Sequence, residues 1–333
     1  MKKFITITLI LLSIFSNAIA KSTLKELGFI FSISPTYFFE NGVLNEFVYT
    51  YDSNNTLYKM SELNWQIKNS FNTGAAIKFG WKYIVIDSDF SLGISGNSGN
   101  LFDSDWLLPS DHSVKTTYSI NKNYLNTNQK LSVRVSGKIT CTPEQINSKI
   151  CINLFPYFKY DYSLYSFSGF DGYGWYGHHV SPIVAYTDSS APFYNDLCGI
   201  DYVREQTNFF HGILVECSFI KKILLTLDLG LSLFNLVDSI DTHYSNKNKT
   251  DGTNYFDIMQ AYFNTFTVSS SIKYNLKEKL NIGLGYKYMN TGMTTGYNKW
   301  KYLTEKQYST NQEIVSKCSG ETHIVNLFFE FIF

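Results

Sequence analysis

Two pairs of side chains in this chain have the types and spacing to activate water. Asp103 and Asp105 stand two apart in SGNSGNLFDSDWLLP, and Asp241 and His243 stand two apart in NLVDSIDTHYS. On an extended backbone, residues i and i+2 project to the same side, so each pair converges. Two carboxylates held close resist ionising together, which raises one pKa and suits acid–base work. A carboxylate beside an imidazole fixes its tautomer and supports it as a base. Taken singly, each pair is also ordinary solvated turn chemistry. The chain has no GxSxG, HExxH or phosphate-loop pattern and no CxxC pair, so no metal or cofactor is expected.

The elements that must position these residues are strands. In ILLTLDLGLSLFN, Leu225, Leu227, Leu229, Leu231 and Leu233 alternate with Thr226, Asp228, Gly230 and Ser232. KLNIGLGYKY, FSLGIS and LSVRVSG repeat the pattern, and period 2 with one wholly apolar face is the strand signal. The chain ends ETHIVNLFFEFIF, where Val325, Leu327, Phe329, Phe331 and Phe333 share one face and Asn326 and Glu330 lie on the other. An apolar outer face and a terminal Phe suit the closing strand of a bacterial outer-membrane barrel. The opening MKKFITITLILLSIFSNAIA carries Lys2, Lys3, an apolar run and the triplet Ala18-Ile19-Ala20, and it reads as a signal peptide cut after Ala20. The run is too short for a transmembrane helix.

Counting alternating runs predicts an all-β fold: a ten-stranded antiparallel up-and-down transmembrane β-barrel, formed by a single domain over 21–333. The predicted strands are 24–39, 61–81, 84–96, 128–140, 151–168, 206–220, 223–237, 258–275, 279–290 and 320–333. Short turns on one side alternate with five long extracellular loops at 40–60, 97–127, 169–205, 238–257 and 291–319. A ten-stranded barrel is too narrow for a wide aqueous channel. Interior Arg134, Asp228, Lys287 and Glu330 are expected to fill and neutralise the lumen, which places function at the loops and the upper rim.

Composition agrees. There are 25 Tyr and 27 Phe, enough for interfacial girdles. Of 28 basic residues, Lys2 and Lys3 leave with the signal peptide, so 26 remain against 28 acids. That balance argues against a nucleic-acid partner, which needs a concentrated positive field. Five cysteines in an exported chain are expected to form two bridges and leave one buried free thiol, against the alternative of several unpaired core residues.

Taken together and in this order, these segments resemble the omptin family of outer-membrane proteases. LNEFVY followed by KMSELNW looks like the family's first loop and second strand. GNLFDSDWL looks like its first catalytic Asp pair, YSLYSFSG like its fifth strand, and DTHY like its Asp–His pair. The resemblance is that of a divergent member. It implies a water held between Asp103 and His243, with His243 as general base oriented by Asp241 and with Asp105 supporting the charge of the site. It also implies that Glu46 sits at the bottom of a pocket for a substrate Arg or Lys. The usual acidic partner of that residue is replaced here by Ser239, while neighbouring Asp238 points the other way on a strand. A pocket with one carboxylate should still prefer a cation. After Asp111 no acid follows until Glu144, so a second acidic pocket beyond the cut is not implied. Phe170 stands where the resemblance expects an Arg for lipopolysaccharide, so lipopolysaccharide dependence has no support at that position.

The expectation is an outer-membrane endopeptidase, a monomer facing outwards, whose partners are peptide or protein substrates and membrane lipid. The rival reading is a non-catalytic barrel adhesin or receptor of the same fold, for which the loop GFDGYGWYGHH with His178 and His179 would suit binding. Retention of all four candidate catalytic residues favours the enzyme.

Overall fold

In the computed structural model, residues 28–141, 150–219 and 222–333 are described; the expected signal peptide lies outside them. The chain forms β1 (Phe29–Tyr51), β2 (Leu57–Trp81), β3 (Ile84–Gly93), β4 (Gly96–Asp105), β5 (Thr117–Gly137), β6 (Ile139–Thr140) and β7 (Ile150–Tyr176). After a single turn of 3-10 helix at Gly177–His179 come β8 (Phe193–Leu197), β9 (Ile200–Phe219), β10 (Ile223–Tyr244), β11 (Gly252–Ala261), β12 (Thr265–Lys277), β13 (Leu280–Tyr302) and β14 (Ser309–Ile332). β3 continues into β4, β5 into β6 and β11 into β12, each pair making one stave, and β8 only lines β7. The described residues therefore make ten antiparallel staves, as the alternation predicts. β1 pairs with β14 from Ser32↔Ile332 to Tyr49↔Val315, which closes the ring of ten staves. No described helix is long and apolar enough to cross a membrane.

The five long segments are present, but most of their length is paired strand. β1 and β2 are 23 and 25 residues long, where about ten cross a bilayer, so the upper halves of the staves rise beyond it as a second barrel storey. The strands run on past their predicted ends because alternation there is no longer apolar against polar: above the membrane neither face meets lipid.

The lower storey has the predicted sidedness. Leu225, Leu227, Leu229 and Leu231 are exposed on the outside, as are Val325, Phe331 and Phe333. Inside, Arg134 Nε lies 3.1 Å from Asp87 and its Nη1 lies 3.0 Å from Asp228, which also accepts the Tyr157 hydroxyl at 2.6 Å. Lys159 and Lys287 both lie 3.4 Å from Asp161, and Lys273 lies 2.6 Å from Glu330. These charges neutralise one another, as expected of Arg134, Asp228, Lys287 and Glu330, around a cavity of about 370 Å³ that they line rather than fill. Above them Leu63, Trp65, Leu101, Phe167, Ile200 and Tyr202 form a buried apolar plug in which the Trp65 and Tyr202 rings stack at 5.2 Å. Ions below, an apolar plug between and an open mouth above make the barrel a closed pedestal.

One irregularity decides what the mouth contains. Up to Ser232, the even residues of β10 point inwards. Between Ser232 and Phe234 the register with β9 shifts, and Leu233 is the extra residue of a β-bulge. Beyond it the odd residues Asn235, Val237, Ser239 and Asp241 are the buried, inward ones.

All five cysteines are free thiols in this structure, which differs from the expected two bridges. Cys217 faces outwards among Val215, Leu225 and Leu227, and Cys318 is the buried one.

Candidate active site

The mouth encloses a cleft of about 670 Å³. Its walls carry Asp103 and Asp105 from β4, Asp241 and His243 from β10, and Glu46 from β1, together with Leu63 and Ile200 of the plug. The sequence-predicted groups are thus brought together, from staves far apart in the chain. Cross-strand pairing fixes their level. Asp103 lies opposite Leu63 and Ser119, Asp105 opposite Ser61 and Thr117, Asp241 opposite Tyr202 and Tyr255, and His243 opposite Ile200 and Thr253.

Asp241 Oδ2 and His243 Nε2 are 2.5 Å apart. With Asp241 accepting from Nε2–H, the imidazole keeps Nδ1 as its free lone pair. The Tyr255 ring meets His243 edge-on at 5.6 Å and limits how it can turn. Burial alone would lower the affinity of His243 for a proton, but Asp241 opposes it with its charge and hydrogen bond. Asp103 and Asp105 add to this, and the group is held up to about 9.

Across the cleft, burial and the neighbouring charge of Asp105 push Asp103 up to about 8, against the pull of His243 and a 3.5 Å bond from Ser119 Oγ. Burial also raises Asp105, while Ser61, His243 and Thr117 hold it back. Asp103 and His243 each feel the other's charge, so they titrate as a pair rather than as separate groups.

Glu46 lines the cleft but is only 2% exposed, opposite Cys318 on β14 and opposite Leu63 on β2, the residue that also pairs with Asp103. Ser239 is 1% exposed and does not line the cleft; its Oγ donates to Asp257 Oδ2 at 3.3 Å. Asp238 pairs with Glu205 and Ile258 and points away from the lumen, as expected. The sequence reading missed Asp257, which stands alone in GTNYFDIMQ with no neighbour to mark it. It also missed Tyr176, which borders the cleft with His178 and His179. The loop read as a binding segment therefore walls the same cleft, and His178 Nδ1 is 2.6 Å from Thr117 Oγ1. Among the described residues no His, Cys, Asp and Glu cluster has metal-binding geometry.

A family model, Omptin family, matches residues 32–326. Among solved structures, the outer membrane protease OmpT from Escherichia coli superposes with a TM-score of 0.76. It is 18% identical, over 91% of this chain and 97% of that one. At that identity the likeness is one of fold. The translocator domain of autotransporter NalP from Neisseria meningitidis matches 93% of this chain and 90% of its own at 9% identity, with a TM-score of 0.35. A search of curated proteins gives no match.

Proposed function

The chain belongs to the omptin family of outer-membrane proteases, and from that premise we propose that its cleft hydrolyses peptide bonds on the outside of the cell, next to basic residues, with water activated by His243. The observation that carries the reading is one cleft with an Asp–His dyad on one wall and an Asp pair on the other.

In this reading a water sits between Asp103 and His243. His243 Nδ1 takes one of its protons while Asp241 holds Nε2–H and stabilises the imidazolium. The resulting hydroxide attacks the scissile carbonyl carbon and forms a tetrahedral intermediate, with no covalent bond to the protein. Collapse breaks the C–N bond, and the proton on His243 passes to the departing amine. Asp103 orients the water, and Asp105 supplies charge behind it. Glu46 receives the basic side chain that precedes the cut, because a desolvated carboxylate gains most from a charged donor. The charged, plugged lower storey supports a wholly extracellular reaction, since it offers a peptide no path through the barrel.

The test uses washed cells and a quenched peptide with Arg before the cleavage site. Cleavage should resist serine-protease and metalloprotease inhibitors and vanish in Asp103→Ala and His243→Ala. Both variants should still show heat-modifiable migration, because the replaced groups stand above the apolar band. Normal cleavage by either folded variant removes the mechanism.

A further inference from the structure

A second buried acid stands behind the part of the cleft wall that carries Glu46. Asp257, on β11, is 1% exposed and lies directly behind that wall: its carboxyl accepts from Asn298, which lines the cleft, and from Ser316, whose cross-strand partner Val48 is two residues from Glu46 and also lines the cleft. Asp257 is held by three donors from three staves. Asn298 Nδ2 reaches Oδ1 at 2.7 Å, Ser316 Oγ reaches Oδ1 at 2.5 Å, and Ser239 Oγ reaches Oδ2 at 3.3 Å. Glu46 Oε2, in the cleft wall, has no hydrogen-bond partner among the described residues. Among the described residues neither carboxylate has a salt bridge. Arg204, opposite Ser239, instead spends its Nη groups on the Ser319 carbonyl and Gln206. Two buried acids therefore lie near one another, Glu46 at the cleft and Asp257 behind it, with no ion-paired cation among the described residues.

Such a pair is costly to ionise in the empty protein. Burial raises Glu46 well above the usual carboxylate range, and the charges of Asp241 and Asp257 add to that. Burial raises Asp257 too, against the donors from Ser316 and Asn298. A guanidinium or ammonium entering beside Glu46 meets the negative field of both groups at once, which favours their charged forms.

We infer that Asp257 is the second specificity-determining carboxylate of the pocket, supplied by β11 in place of position 239, and that Ser239 is a positioning residue that aims it. This deepens the proposed reading and rests on it. The position that resemblance marks as a lost acid is, on this account, the hydrogen-bond donor to its replacement. A third acid at 239 would then crowd Asp257 rather than restore the pocket.

The experiment compares two peptides that differ only in Arg or citrulline before the cut, on whole cells carrying the full-length protein, and reads the ratio of their kcat/KM values. Asp257→Asn should lower the ratio about tenfold to a hundredfold, the worth of one charged hydrogen bond. Adding Ser239→Asp to Asp257→Asn should recover most of the loss. Ser239→Asp alone should leave the ratio unchanged or lower. This variant keeps the inference testable if Asp257→Asn does not migrate as a folded barrel. A wild-type ratio in Asp257→Asn overturns the inference. So does a rise in Ser239→Asp alone, the result expected if Glu46 were the sole acid. If Glu46→Gln loses the preference while Asp257→Asn keeps it, the inference falls and the basic-residue reading stands. If the wild type shows no preference for Arg, both fall.

Discussion

Replacing Asp241 with Asn should change the shape of the pH profile as well as its height. With its proton affinity held up to about 9, His243 is neutral in only about one molecule in a hundred at pH 7, so the wild type should gain activity steadily up to pH 9. Asp241 is the largest cause raising that affinity, ahead of Asp103 and Asp105. Without it the imidazole moves down towards its ordinary 6.5, and a larger share of molecules carries a neutral base at pH 7. The variant also loses the bond that orients the ring. Loss of an oriented general base costs about 10²–10⁴ in rate, and this should be visible in full at pH 10, where both proteins have a neutral imidazole. At pH 7 the wild type is throttled by protonation more than the variant is, so the deficit should shrink. Because Asp103 and Asp105 still face the ring, the expected narrowing is between about tenfold and a hundredfold. The assay is kcat at saturating Arg peptide from pH 6 to 10, so that titration of the free pocket does not enter. A deficit that stays constant across this range would show that His243 does not set the acid limb.

Three further outcomes are expected. Glu46→Gln should lower the Arg-to-citrulline ratio about tenfold to a hundredfold, read on the same peptide pair. Asp103 is raised from 3.8 to about 8 in the folded barrel, so the folded state holds a proton that the unfolded chain releases, and stability falls as pH rises across that window. Asp103→Asn should remove this slope, so its advantage over the wild type in urea unfolding should grow between pH 5 and pH 8; a constant difference would count against the raised affinity. In the lower storey, Asp228→Ala strips Arg134 of one of two carboxylates and leaves the Tyr157 hydroxyl only its longer bond to the Leu229 carbonyl at 3.3 Å. A loss of about 3 kcal/mol or more is expected in micelle unfolding, and a change within a few tenths would show that the ionic layer does not hold the barrel together.

The lower storey was legible because lipid enforces a simple rule: Leu225 to Leu231 face out and Asp228 must face in. The candidate catalytic pairs were legible because each is local, two residues apart on one strand. The level at which the strands end was not, since above the membrane both faces of β1 and β2 meet protein or water and the alternation loses its contrast. Continuing the β10 alternation without a break would have put Asp241 and His243 on the outside with the leucines. Their inward position depends on Leu233 being extra, and nothing in LSLFN announces that. Asp257 escaped for another reason: its meaning lies in cross-strand neighbours Ser239 and Asn298 and in Ser316 one stave further on, contacts that no short window contains.

The Leu233 bulge separates two sets of demands that a single strand would otherwise have to meet together. Below it, each outward position answers to hydrocarbon and each inward one to charge balance. Above it the parity is reset, so a substitution that tunes the mouth need not respect the phase of the hydrophobic belt. Insertions or deletions of one residue should be least tolerated here, because either would turn the reactive face of β10 outwards while leaving the membrane anchor intact. The same join is where a barrel of this kind could receive a different upper storey, carrying other chemistry on an unchanged base.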